Sequence, residues 1–88
     1  MHIPNGFQVR QILDEILAVP GGAASRQFAG IISLNEVGRF LFEQLQTEQT
    51  MDSLVAALLE NYEVDRATAQ KDVEEFLTHL RDAKLLIE

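Results

Sequence analysis

The chain has 88 residues, no cysteine and a formal net charge of −7, from seven Lys+Arg against fourteen Asp+Glu. Hydrophobic residues make up 47% and charged residues 24%, a globular balance that argues against a disordered tail. Disulfides, thiolate metal sites and a cysteine nucleophile are excluded, and the acid excess counts against a nucleic-acid binder, which must set cations against phosphate.

Phe7 and Val9 alternate with Gln8 and Arg10, the period-two pattern of a half-buried strand. Ile16-Leu17-Ala18-Val19 is a second short apolar run, and Asp14-Glu15 is the expected turn between the two. Pro20-Gly21-Gly22 ends that run and opens a loop reaching about Gln27. Phe28 to Leu34 reads as a third strand, with Gly30 marking a bulge or a close backbone approach. Residues 7–34 are therefore expected to form a three-stranded antiparallel sheet.

After Leu34 the apolar spacing turns helical. Asn35 is a good N-cap, and Glu36 follows where the helix dipole favours an acid. Val37, Phe40, Leu41 and Leu45 make one stripe, with Phe42 expected on its flank. Gly38 lowers helix stability by about 1 kcal/mol against Ala, which points to close packing against a neighbouring element. Thr50 caps a second helix with Leu54, Leu58 and Leu59 on its apolar face. Asp65 caps a third, striped by Ala69, Val73, Phe76, Leu77 and Leu80. The helices are expected over about 35–47, 50–62 and 65–83, and Leu85-Leu86-Ile87 as a short extended segment. Strands followed by helices exclude a parallel α/β sheet and predict one α+β domain over residues 1–88. A three-stranded sheet also leaves an edge of unpaired N–H and C=O groups.

The catalytic readings are weak. Glu74-Glu75 reads as a solvated helix face, the serines have no nearby histidine, and Gly21-Gly22 lacks the spacing of a phosphate loop. His2 and His79 lie far apart without ligand spacing, so no metal and no cofactor are expected. The first residues have neither a basic segment nor an apolar run, and no stretch approaches the ~18 apolar residues of a membrane span, so a cytoplasmic protein is expected. Two binding alternatives are weighed. Asp52-Ser53-Leu54 is the tripeptide on which acyl and peptidyl carrier proteins bear phosphopantetheine. Against it, residues 7–34 read as strands where a carrier needs a long helix, and Thr50, Asp52 and Ser53 also suit a capped first turn. Helices after strands suggest a winged-helix DNA-binding regulator. Its third helix, however, sets Asp72, Glu74, Glu75 and Asp82 beside Gln70, Lys71 and Arg81.

An ordered set of motifs remains. Leu34-Asn35 opens the first helix and is followed by Val37-Gly38 and the bulky pair Leu41-Phe42. Thr50 starts the second helix and Tyr62-Glu63-Val64 ends it. Asp72-Val73, Phe76-Leu77, Leu80 and Leu85-Leu86 complete the series. In this order and at this length the chain from Phe28 onward resembles the PqqD family, or RiPP recognition elements. Phe42 departs from it, since many members carry Trp there.

The resemblance implies a winged helix-turn-helix-like peptide chaperone of natural product biosynthesis, not an enzyme. Such proteins hold the leader segment of a ribosomally made precursor and present it to a modifying enzyme, such as a radical SAM protein, a lasso-peptide protease or a cyclodehydratase. The leader would add as a strand to the edge of the third strand, along Ala29, Gly30, Ile31, Ile32 and Ser33. Alternate leader side chains would enter a groove between that strand and the third helix. The helix offers two flanks: Asp72, Phe76, His79 and Ala83, or Gln70, Leu77, Arg81 and Lys84. The first is preferred, because an aromatic beside polar groups suits an amphipathic peptide. The alternative for Phe76 is a place in the core. No nucleic acid and no membrane are expected as partners. An open edge permits a monomer or a weak, strand-swapped dimer.

Overall fold

The computed structural model describes residues 1–22 and 31–88. In chain order it contains β1 (Phe7–Ile12), β2 (Glu15–Pro20), β3 (Ile32–Leu34), α1 (Glu36–Gln44), α2 (Met51–Asn61) and α3 (Arg66–Asp82). The strands form one antiparallel sheet in the order β1-β2-β3, so the architecture is α+β, a sheet followed by helices. The expected start of the third strand, Phe28, Ala29 and Gly30, lies outside the described residues.

The alternation of the strands sorts their side chains. Ile16 and Ala18 of β2 are buried, and they lie opposite Leu34 and Ile32 of β3 on the same face. The β1–β2 turn is Leu13-Asp14, one residue earlier than the expected Asp14-Glu15. The reason is register: Glu15 pairs with Ile12 and belongs to β2. Leu13 takes φ 56° at the first turn position and is 91% exposed.

Each helix begins on the residue that the sequence offers as its cap. The Asn35 side chain accepts from Gly38 N–H at 2.7 Å. The Thr50 hydroxyl accepts from Ser53 N–H at 3.0 Å, and Ser53 Oγ accepts from Thr50 N–H at 2.9 Å, closing a capping box. Asp65 accepts from Thr68 N–H at 2.9 Å, and its hydrogen bonds with Thr68 hold its carboxyl below the usual value. The first helix ends at Gln44, three residues short of the expected 47, with Leu45 as its cap. The third ends with Lys84 at φ 60°, Leu85 N–H donating to Leu80 C=O and Lys84 N–H to Arg81 C=O. This is the Schellman arrangement, closed by the buried pair Leu80 and Leu85. Ile87 then pairs with His2 as an isolated bridge.

The core corrects one expectation. Phe42 is not on the flank of α1 but fully buried, its ring edge-on to Phe7 at 6.0 Å. Leu41 and Phe42 are about 100° apart on the helix, and both are buried, because α1 is covered on two sides. Val37 and Phe40 fall at the borders and are half-buried, Phe40 resting edge-on against Tyr62 at 5.4 Å.

Candidate functional site

The hairpin register decides which way the backbone of β3 points. A two-residue hairpin closes on a hydrogen-bonded pair, here Ile12 and Glu15, and hydrogen-bonded and non-bonded pairs then alternate. Glu15, Leu17 and Val19 therefore direct their N–H and C=O toward β1. Pro20, which has no N–H, falls in a non-bonded pair with Phe7 of β1. Ile16 and Ala18 must then direct theirs toward β3, where they meet Leu34 and Ile32. Ser33, opposite Leu17, is left in a non-bonded pair with its N–H and C=O aimed away from the sheet. Among the described residues no strand pairs with this outer side of β3.

Beyond that edge lies a groove of about 280 Å3. Ser33, Leu34 and Asn35 form one wall, and Val37, Gly38 and Leu41 of α1 belong to its lining. Asp72, Glu75, Phe76 and His79 of α3 supply the other wall. Gly38 lets the Phe76 ring lie close against α1. A methyl group at its Cβ position would sit 3.3 Å from Phe76 Cε1 and 3.1 Å from Asn35 Oδ1. Phe76 is half-buried, resting on the core with part of its ring exposed. The opposite flank of α3 is divided, with Leu77 in the core and Gln70, Arg81 and Lys84 exposed.

The site residues named from the sequence separate into three groups. Ser33, Asp72, Phe76 and His79 meet at the groove. Ile32 stands beside it in β3, half-buried with its backbone turned to β2, and Ile31 precedes the strand, 60% exposed. Ala29 and Gly30 lie outside the described residues. Glu75 and the α1 residues Val37, Gly38 and Leu41 were not among the sequence candidates. The one signal for them was Gly38, a helix-weakening residue inside an apolar stripe.

The groove is lined by apolar and polar side chains together. Its only titratable side chains among the described residues are Asp72, Glu75 and His79, and no cluster of three or more possible metal ligands occurs among those residues. No helix among them is long and apolar enough to cross a membrane. Ser53, the carrier-type serine, is held within the first turn of α2, where its hydroxyl also donates to Gln49 Oε1 at 2.7 Å.

Comparison with known proteins agrees with this architecture. One solved structure, TbiB1 in complex with the TbiA(beta) leader peptide, is similar with a TM-score of 0.71 and 26% identity, covering 98% of this chain and 94% of that one. A second, lasso peptide synthetase B1 complexed with the leader peptide, shares the fold with a TM-score of 0.69 and 17% identity, over 99% and 96% of the two chains. No curated protein sequence gives a match. The family model for coenzyme PQQ synthesis protein D (PqqD) matches residues 16–86, which span β2 through the end of α3 and the segment after it. On that match the chain belongs to the PqqD family.

Proposed function

We propose that this protein is a non-catalytic binding module for the leader segment of a ribosomally made precursor peptide. The observation that carries the reading is the groove between the unpaired side of β3 and the Phe76 face of α3. A leader entering it becomes a fourth strand. Its main chain bonds to Ser33 and Ile31, and its alternate side chains enter the space bounded by Val37, Leu41 and Phe76. The similarity to a structure that contains a leader peptide supports this choice of occupant. The bound leader would be handed to a modifying enzyme, of the radical SAM or lasso-peptide protease kind. Ordering a flexible peptide opposes binding, so apolar burial in the groove must add to backbone pairing. The expected affinity is micromolar to nanomolar, about −8 to −12 kcal/mol.

The test is an amide chemical-shift titration with the leader encoded by a precursor gene beside this one. Shifts should gather at residues 31–35 and along α3 from Asp72 to His79. Shifts confined to α2, with β3 and α3 silent, would refute edge-strand capture.

A further inference from the structure

The groove's charged groups point to a narrower class of peptide, an inference that rests on the binding reading above. The strand edge and the Phe76 wall define the site without reference to charge; the charges bear on what it selects. Asp72 is half-buried beside Phe76, and among the described residues it has no ion-pair partner. Glu75, one helical turn along, also lines the groove. No Lys or Arg does so among the described residues. Lys71, outside the lining, reaches Glu75 at 4.0 Å, and both side chains are well exposed. Arg39 of α1 is occupied by Glu43 at 2.9 Å and by Gln11 at 3.2 Å. His79 completes the polar wall.

The register fixes where a peptide's side chains go. Residues opposite one another in an antiparallel pair share a face. The peptide residues opposite Ile32 and Leu34 therefore point to the helical side, and the one between them, bonded to Ser33, points to solvent. Apolar side chains suit the floor made by Val37, Leu41 and Phe76. A carboxylate approaching Asp72 and Glu75 would be repelled, and a cation attracted.

We infer that the groove selects an extended segment with two inward apolar side chains two residues apart and a Lys or Arg at a fixed offset, reaching Asp72 and Glu75. Exposed pairs are individually weak and screened by salt. Together the two carboxylates should shift affinity by roughly 3- to 10-fold at low salt.

The experiment pans a random peptide library displayed on phage against the wild-type protein and against Asp72→Asn/Glu75→Gln. Selected peptides are then synthesised and titrated by amide shifts and at two salt concentrations. Wild type should enrich the apolar pair together with a Lys or Arg at one offset. The double variant should keep the apolar pair and lose the cation, and Asp72→Lys should replace it with Asp or Glu. An apolar pair without a cation on the wild type overturns the charge selection and leaves the binding reading standing. Peptides that never shift residues 31–34, or a library without binders, refute the groove reading and this inference with it.

Discussion

Two neighbouring proline substitutions should have opposite effects. The register turns the Ser33 N–H outward and the Ile32 N–H toward Ala18. Ser33→Pro removes a donor that β2 does not use, at an edge position where proline is tolerated. Ile32 is already extended, as the residue before a proline prefers. Folding stability should stay within about 1 kcal/mol of wild type. Binding should suffer, because a leader carbonyl loses its donor and meets the proline ring. An unsatisfied acceptor costs about 1–3 kcal/mol, or roughly 5- to 150-fold in Kd. Ile32→Pro breaks the ladder instead. It strips the bond to the carbonyl of Ala18, which is fully buried, and removes a half-buried side chain. The loss should be about 2–4 kcal/mol, a large part of a small domain's stability. Urea unfolding measures the first quantity, and fluorescence anisotropy with a labelled leader the second. If Ser33→Pro unfolds while Ile32→Pro stays folded, the register argument is wrong. If Ser33→Pro folds and binds like wild type, strand addition is wrong.

Other outcomes follow from single features. Gly38→Ala should crowd the Phe76 ring and weaken leader binding several-fold in anisotropy, while circular dichroism shows the domain still folded; unchanged affinity would remove Gly38 from the site. Lys84→Gly should raise stability by about 1 kcal/mol in urea, since only glycine takes φ 60° at a helix end without strain; a loss would contradict the Schellman geometry. Asp65 titrates below its ordinary value near 3.8 through its bonds with Thr68. Its contribution is therefore complete above the unfolded value and lost as pH falls through the lower folded one. Asp65→Asn keeps a capping oxygen but should remove that part of the acid-induced loss, and superimposable pH–stability curves would refute a contribution from the Asp65 charge. A broad-specificity phosphopantetheinyl transferase should leave the protein's mass unchanged; a gain abolished by Ser53→Ala would revive the carrier alternative.

The fold was legible where a local rule governs it. Alternation marked the first strand and a short apolar run the second, and Asn35, Thr50 and Asp65 marked the helix starts because a capping side chain acts within three residues of itself. The misplaced elements needed information from a distance. Glu15 looked like a turn residue until its pairing with Ile12 placed it in β2. Phe42 looked peripheral because a single stripe assumes burial on one side of α1. The candidate site divides the same way. A wall on α3 was expected only from the family resemblance, and an aromatic beside polar residues served to choose the Phe76 flank over the other. Val37, Gly38 and Leu41 belong to the groove only through the way α1 lies against α3, and no spacing within α1 states that.

The position of β3 also limits what kind of chain can reach its open edge. A β-strand belonging to another folded protein brings its own neighbours, with a second strand on one side and helices over one face. The edge here lies against the wall of α3, with Asp72, Glu75, Phe76 and His79 facing the space that such an escort would need. A bare segment, free on all sides, has no escort to accommodate. If the groove takes the leader as proposed, its shape alone should favour chains that have not folded, before any side chain is read. A leader locked into a helix or hairpin by cross-links should therefore fail to bind, even with its sequence intact, and recover when the links are cut.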